Sequence, residues 1–201
     1  NVSFDDIIVE SISGIMKMES FNETDFLVNN TSLDTLYLIY TSGTTGMPKG
    51  VMVNNRSLIN YLEFCKKTYA SDQVVMPLFS NLCFDLTVTS IFYPLLNGGK
   101  IVVYNDDIDI MIDQIFHNKE LTVIKLTPGH LKIANVLLHT ETLSVLESLI
   151  LGGEALETKT VSGTLNTFGN HIKIYNEYGP TEATVGCCIY ECSGDRDSDE
   201  C

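Results

Sequence analysis

The sequence is poor in positive charge. Its 201 residues include 12 lysines and arginines against 26 aspartates and glutamates, which leaves a net charge of −14. A chain with this excess of negative charge is repelled by phosphate backbones and by anionic lipid surfaces. We therefore expect neither a nucleic acid nor a membrane as partner. An anionic nucleotide would need a specific loop, whose backbone amides or bound cation override the overall field.

Long apolar runs and metal-binding patterns are also missing. No apolar stretch approaches the roughly 18 residues that cross a bilayer. The six cysteines form neither CxxC pairs nor a cysteine–histidine group with zinc spacing, which indicates scattered reduced thiols. The chain begins without a signal peptide, so we expect a cytoplasmic protein. Because no histidine adjoins a serine or cysteine in a nucleophile arrangement, we expect structural roles for all four: His117, His130, His139 and His171.

The sequence does have the composition of a globular domain, with 44% hydrophobic residues. Short apolar stretches that end in glycine or other turn formers alternate with stretches of helical spacing. The run LYLIYTSG from Leu36 predicts a buried strand that ends in a loop. Ser57 to Lys67 predicts a helix with Ser57 as its N-cap. The pattern indicates an α/β fold with a layered, largely parallel sheet flanked by helices.

The same patterns divide the chain into three parts. Residues 1–35 contain no strong start signal and are interpreted as a lead-in segment of the core. Residues 36–192 carry the alternating strands and helices, and we predict that they form a core that binds nucleotide and amino acid. Residues 193–201 are polar and acidic, as in a solvated loop or a truncated end.

One loop has the chemistry to hold phosphate. Thr41 to Gly50 reads TSGTTGMPKG and supplies four hydroxyls, three glycines and a lysine directly after an apolar strand. Glycines let several backbone N–H groups point at one anion, and Lys49 adds a mobile cation. A GxxxxGK[ST] phosphate loop is excluded because Lys49 lies between Pro48 and Gly50. The loop therefore predicts triphosphate chemistry of another kind.

Two further motifs follow in order. LILGGEAL spans Leu149 to Leu156, and YNEYGPTEATV spans Tyr175 to Val185. Together with YTSGTTGMPKG they resemble the adenylate-forming superfamily, which includes adenylation domains of nonribosomal peptide synthetases, acyl- and aryl-CoA ligases and firefly luciferase. The resemblance covers about residues 36–192 and implies part of the large N-terminal lobe. It also implies that the family's C-terminal lobe, with its catalytic lysine, is absent from this sequence.

The resemblance assigns roles to individual residues. It implies that Tyr178 stacks on adenine, Thr181 binds the α-phosphate and Glu182 ligates Mg2+. The residues with an implied catalytic role are Thr181, Glu182 and Lys49. The implied ATP-binding residues are Thr41, Ser42, Gly43, Thr44, Thr45, Gly46, Lys49, Gly153, Glu154, Ala155, Asn176, Glu177, Tyr178, Gly179 and Thr181.

Asp85, in the segment NLCFDLTVTSIF, indicates which acid is activated. In the amino-acid-activating branch that the chain resembles, an aspartate at this place pairs with the substrate's α-ammonium group. The alternative is that Asp85 only caps the helix that follows. The resemblance implies a substrate pocket lined by Asp85, Leu86, Thr89, Gly129, Ile150, Gly152, Glu177, Val185 and Gly186.

This pocket resembles the pattern for asparagine activation, although Gly129 stands where a lysine is usual. Glu177 and Thr89 would supply an acceptor and a donor for a carboxamide. An aspartate side chain would meet Glu177 as a like charge, whereas a cation such as ornithine could pair with Glu177 and ranks second.

The resemblance thus implies activation of an amino acid by ATP to an aminoacyl-adenylate. The acyl group would then pass to phosphopantetheine on a peptidyl carrier domain, within a synthetase that also has condensation domains and builds antibiotic-type peptides. One alternative is an acyl- or aryl-CoA ligase. Another is a catalytically inactive nucleotide-binding fragment, and we expect the 201-residue chain alone to behave in this way because the catalytic lysine lies outside it.

Overall fold

The fold is taken from a computed structural model that describes residues 30–42, 46–69, 72–138 and 145–193. Apart from Asn30, these residues belong to one compact unit, Thr31–Cys201. Most of the predicted lead-in segment, residues 1–35, therefore lies outside the described residues, as does most of the predicted acidic end, residues 193–201.

Strands and helices alternate along the described chain. The strands are β1 (Thr35–Thr41), β2 (Lys49–Asn54), β3 (Val75–Leu78), β4 (Lys100–Val103), β5 (Val123–Leu126), β6 (Ser148–Leu151), β7 (Lys173–Tyr178) and β8 (Cys188–Cys192). The α-helices are α1 (Asn55–Thr68), α2 (Leu86–Leu96), α3 (Ile108–His117), α4 (Pro128–Leu137) and α5 (Thr158–Phe168), and a 3-10 turn spans Thr181–Ala183. Among the described residues no helix has the length and apolar character needed to cross a membrane.

The strands form three sheets. β1 and β2 make an antiparallel hairpin, β3 and β4 pair in parallel, and the third sheet has the order β5-β6-β7-β8. In that sheet β5, β6 and β7 run parallel and β8 is antiparallel to β7. Three of the five strand pairs are thus parallel, and helices follow most of the strands. The structure confirms the predicted α/β architecture.

The four-stranded sheet is covered on both faces, because successive side chains along its strands point alternately into two cores. One face carries Ile124, Leu149 and Ile174 and packs under a core that includes Ile112 of α3 and Leu131 of α4. The other face carries Val123, Ile150 and Tyr175, and its core includes residues of α1 and α2. Strands buried on both sides are expected in a parallel sheet flanked by helices. Alternation therefore decides which side chains of β5 to β7 face α1 and α2.

The first strand departs from the prediction. LYLIYTSG does form a strand, but only one of its faces is partly buried: Tyr37 and Ile39 pack against the second core, whereas Leu38 is 50% exposed and Tyr40 is 66% exposed. The reason is that among the described strands β1 pairs only with β2, whose Met52 is also exposed at 71%. The apolar run predicted a buried strand, whereas Leu38, Tyr40 and Met52 leave one face of the hairpin exposed.

The start of α1 also differs by a few residues from the prediction. The N-cap is Asn54, whose Oδ1 accepts a hydrogen bond from the backbone N–H of Ser57 at 2.9 Å. Ser57 therefore lies in the first turn and does not cap the helix. Asparagine and serine are both strong caps, so sequence alone could not choose between them. The predicted apolar face of the helix is confirmed by its buried residues, Leu58, Tyr61, Leu62 and Cys65.

Candidate functional site

A crevice lies at the carboxyl ends of β6 and β7. Because these strands are parallel neighbours, the two motifs that follow them end side by side. The crevice has a volume of about 480 Å³. Its lining residues are Gly153, Glu154, Ala155, Leu156, Asn176, Glu177, Tyr178 and Gly179. The structure thus brings together seven residues that the sequence predicts to bind nucleotide, and Tyr178 offers its ring at 69% exposure.

The predicted phosphate-binding residues approach the same end of the molecule from two sides. Thr181 and Glu182 lie in the 3-10 turn just after β7, and β2 packs beside that turn. Lys49 begins β2 and pairs with Thr41 at the end of the hairpin where the connecting loop joins the two strands. Gly46 precedes it with a φ of 81°, a conformation that glycine adopts without strain. Gly43, Thr44 and Thr45 lie outside the described residues.

A second cleft, of about 420 Å³, lies beside the first. It is lined by Phe79, Ser80, Asn81, Phe84, Asp85, Leu86, Ile108, Thr127, His130, Gly153 and Glu154. Gly153 and Glu154 therefore line both clefts. A molecule in one cleft would meet a molecule in the other across these two residues.

Three buried polar atoms near this cleft have no hydrogen-bond partner within the described part of the chain: Asp85 Oδ2, Ser80 Oγ and Tyr37 Oη. Burial, together with the charge of Asp85, raises the pKa of Tyr37 to about 12. Asp85 occupies the N-cap position of α2 but makes no capping hydrogen bond with its side chain. A capping role thus does not account for Asp85, and an unpaired buried carboxylate oxygen is suited to a charged or donor ligand.

A buried polar cluster adjoins the first cleft through Glu177, which lines that cleft. Lys125 Nζ contacts Glu177 Oε1 at 2.7 Å, Thr89 Oγ1 at 2.8 Å and Tyr61 Oη at 3.0 Å. Tyr61 Oη also lies 3.0 Å from Glu177 Oε1, and Tyr69 Oη donates to Glu177 Oε2. Both charged side chains are almost wholly buried, at 2% and 3% exposure. The cluster joins α1, α2, β5 and β7 at one point.

The turn after the 3-10 segment packs against this cluster. Gly186 lies so close to Glu177 that a Cβ built on it would stand 2.3 Å from Glu177 Oε1. A side chain at position 186 would have to displace the buried carboxylate of Glu177. The two residues before it, Thr184 and Val185, have positive φ angles of 63° and 68°. Such angles cost a β-branched residue about 1–3 kcal/mol, and strain of this kind is typical of functional sites.

Comparison with known proteins identifies the family. The family model described as AMP-binding enzyme matches residues 5–201. The chain belongs to the AMP-binding enzyme family. Two curated relatives of this AMP-binding chain are bacitracin synthase 3 of Bacillus licheniformis, 43% identical over 158 residues, and tyrocidine synthase 3 of Brevibacillus parabrevis, 45% identical over 171 residues. The matches cover 77% and 83% of this chain but only 2% and 3% of those proteins.

Solved structures agree with this family. The Vibrio cholerae adenylation domain AlmE, in complex with glycyl-adenosine-5'-phosphate, matches with a TM-score of 0.77 and 26% identity. The match covers 85% of this AMP-binding chain and 32% of that one. The nonribosomal peptide synthetase FmoA3 matches with a TM-score of 0.71 at 21% identity, over 84% of this chain and 18% of that one, which supports the fold.

Lys125 was not among the predicted site residues. The backbone N–H of Gly129, a predicted pocket residue, donates to Glu154 Oε2 at 3.0 Å, and Glu154 lines both clefts. Lys125 instead contacts Thr89 and Glu177. Strand alternation could have found it, since Lys125 pairs in register with Ile150 in the middle of an apolar strand.

The remaining predicted pocket residues are distributed between the cleft and the cluster. Asp85 and Leu86 line the second cleft at the start of α2. Ile150 is fully buried and belongs to the same core as Tyr61 and Val185. Gly152 lies at the end of β6, where a Cβ would stand 3.1 Å from the Glu177 carbonyl oxygen.

The carboxylate of Glu182 is the candidate ligand for the magnesium that the AMP-binding family implies. The described ranges contain no group of three or more His, Cys, Asp or Glu side chains that could hold a metal ion. One exposed carboxylate nevertheless fits magnesium, which keeps several waters and is usually shared with substrate phosphates. Glu182 would hold the ion, which would supply charge to offset the phosphates.

His130 links the second cleft to the first turn of α4. Its backbone N–H donates to Thr127 Oγ1 at 3.3 Å, and the Thr127 N–H donates to His130 Nδ1 at 3.4 Å. Burial lowers the pKa of His130, although the charge of Glu154 opposes this effect. The neutral ring therefore serves as the acceptor in a capping box.

This geometry predicts a pH-dependent contribution to stability. Because the pKa of His130 is lower in the folded state than in the unfolded state, its contribution should be present above about pH 6.5 and be lost as the pH falls. The gap in free energy of unfolding between the wild type and His130→Asn should narrow between about pH 7.5 and about pH 5. Urea unfolding followed by circular dichroism measures this gap, and a gap that widened towards acid pH would contradict the prediction.

Proposed function

We propose that the protein activates an amino acid with ATP. A carboxylate oxygen of the amino acid attacks the α-phosphorus, the bond from that phosphorus to the bridging oxygen breaks, and pyrophosphate leaves. The observation that supports this most is that the two clefts share Gly153 and Glu154. With the adenine of ATP in the first cleft and an amino acid in the second, the α-phosphate and the carboxylate would meet between the two clefts. This is the approach that the displacement requires.

The chain's own residues would act mainly by positioning and by charge. Tyr178 presents an exposed ring on which adenine can stack, while Thr181 and Lys49 lie on neighbouring elements and can donate to phosphate oxygens. Little proton transfer is needed, because a carboxylate is already an anion near neutral pH and pyrophosphate leaves as an anion.

Asp85 supports an amino acid as the substrate, in preference to a fatty or aryl acid. Its buried Oδ2 has no partner among the described residues, and an α-ammonium group would supply both a positive charge and hydrogen-bond donors. A fatty acid would leave that oxygen unpaired. The structural relative AlmE was crystallised with glycyl-adenosine-5'-phosphate, an aminoacyl-adenylate.

The charge balance of the polar cluster supports a substrate whose side chain is polar but uncharged, and asparagine is our best candidate. Lys125 and Glu177 form a buried pair of zero net charge, with Thr89 beside it. A carboxamide could exchange hydrogen bonds with such a pair without adding charge to a dry site. Ornithine would bring a cation next to Lys125, and aspartate would bring an anion next to Glu177. Lys125 therefore weakens the case for ornithine that Glu177 alone suggested.

The relatives support a place in peptide assembly. Bacitracin synthase 3 and tyrocidine synthase 3 are similar to this chain at 43% and 45% identity. We propose that the activated acyl group passes to the phosphopantetheine thiol of a peptidyl carrier domain, next to condensation domains of a larger synthetase. The carbonyl carbon would accept the thiol sulfur, and AMP would leave.

Pyrophosphate exchange into ATP tests the proposed reaction. The full-length gene product should catalyse exchange with asparagine far faster than with ornithine, aspartate, a fatty acid or an aryl acid, and exchange should stop when magnesium is chelated. Preference for a fatty or aryl acid would identify an acyl- or aryl-CoA ligase instead. Absence of exchange with every acid, in a sample that still binds ATP, would identify an inactive nucleotide-binding protein.

A further inference from the structure

Two tyrosine hydroxyls contact the carboxylate of Glu177, a residue that also lines the first cleft. Tyr61 lies in the middle of α1, Tyr69 caps the end of that helix, and the two side chains are 3% and 1% exposed. Tyr61 Oη lies 3.0 Å and 3.2 Å from the two carboxylate oxygens of Glu177, and Tyr69 Oη donates to Oε2. Neither tyrosine was a predicted site residue.

In this cluster each polar hydrogen has an acceptor within hydrogen-bond distance. The Lys125 ammonium has three protons and three acceptors within reach, on Glu177, Thr89 and Tyr61. Glu177 Oε1 accepts from Lys125, and Oε2 accepts from Tyr69. Tyr61 Oη lies 2.7 Å from Thr89 Oγ1, so Thr89 can donate to Tyr61 while Tyr61 donates to Glu177. Removal of one hydroxyl would leave a charged group short of a partner.

Both hydroxyls are held in the protonated, donating form. Burial, and then the negative charge of Glu177, raises the pKa of Tyr61 well above its ordinary value. Burial and Glu177 raise the pKa of Tyr69 in the same way. Near neutral pH each phenol therefore donates to the carboxylate and does not compete with it as an anion.

We infer that Tyr61 and Tyr69 are positioning residues for side-chain selection, which hold Glu177 and Lys125 as a fixed pair of zero net charge. The inference rests on the proposed function. If Glu177 lost these two donors, it would be free to turn away from Lys125 and pair with a cationic substrate. The tyrosines would thus act on selectivity through Glu177 without touching the reacting atoms.

Single removal of each hydroxyl tests the inference. In the full-length gene product, Tyr61→Phe and Tyr69→Phe should each lower the preference for asparagine over ornithine by about tenfold or more, as the ratio of kcat/KM in pyrophosphate exchange. The change should appear mainly in KM for the amino acid, with KM for ATP unchanged. Tyr93→Phe is the matched control, because Tyr93 is equally buried in the same core but makes no hydrogen bond to Glu177 or Lys125.

The outcomes separate this inference from the proposed function. If the wild type supports no exchange with any amino acid, the proposed function fails. If the wild type is active but both variants keep the wild-type preference, as Tyr93→Phe should, the tyrosines are merely structural and the inference is overturned. A second measurement needs no variant: the Lys125 ammonium protons should exchange slowly with solvent in nuclear magnetic resonance, and fast exchange would contradict the closed cluster.

Discussion

Replacement of Asp85 by alanine should lower kcat/KM for asparagine-dependent pyrophosphate exchange by about 10²- to 10³-fold, because the loss of one partner of a buried charge pair costs about 2–5 kcal/mol. Asp85 Oδ2 is buried without a partner among the described residues, so an α-ammonium group would be its main contact. The variant should also lose most of its discrimination between asparagine and succinamic acid, which has the same carboxamide but no amino group. Exchange by the full-length gene product measures both effects.

Asp113→Ala is the matched control for this change. Asp113 lies on the surface of α3, where its carboxylate is 3.3 Å from the ring of His117. Surface pairs of this kind contribute little, so activity and discrimination should be unchanged. If Asp85→Ala kept full activity and still preferred asparagine to succinamic acid, Asp85 would have no role at the α-ammonium group.

Lys125→Met should destabilise the fold strongly. The substitution keeps a long apolar stem but leaves the carboxylate of Glu177 buried without its counter-ion, and the loss of one member of a buried ion pair costs about 3–5 kcal/mol. Urea unfolding of this chain, followed by circular dichroism, measures the change. Tryptophan fluorescence is no option, since the sequence has no tryptophan.

Two further variants show whether the loss comes from an unpaired charge. The double variant Lys125→Met with Glu177→Gln should recover much of the lost stability, because it removes both charges together. Lys132→Met breaks a pair with the same 2.7 Å separation, to Glu157, but on the surface, and should leave stability nearly unchanged. Equal effects of Lys125→Met and Lys132→Met would show that burial does not set the strength of the pair.

Sequence motifs could predict that their residues meet in one crevice, because each motif directly follows a strand. Once β6 and β7 are parallel neighbours, residues after each strand must meet at one edge of the sheet, as Gly153 and Tyr178 do in one crevice. Local order along the chain is enough for this conclusion. The same local order explains why the α/β class could be predicted from the alternation of strand-like and helix-like segments.

The polar cluster could not be predicted in the same way, because its members come from four elements far apart in sequence. Tyr61 and Glu177 are 116 residues apart, and only packing of α1 on the sheet brings them together. Gly129 was chosen by motif spacing, whereas Lys125 follows from the alternation of β5, in which it pairs in register with Ile150. The predicted burial of β1 holds for only one of its faces, because an apolar composition does not say which surface will cover a strand.

The left-handed backbone at Val185 has a consequence for how such pockets change during evolution. Substitutions that enlarge a binding pocket usually weaken the fold, because they remove packed atoms. At φ 68°, however, Val185→Gly would also relieve an unfavourable conformation, and the two effects offset each other. If Val185 lines the substrate pocket as predicted, a substitution at position 185 could widen the range of accepted side chains at a small cost in stability.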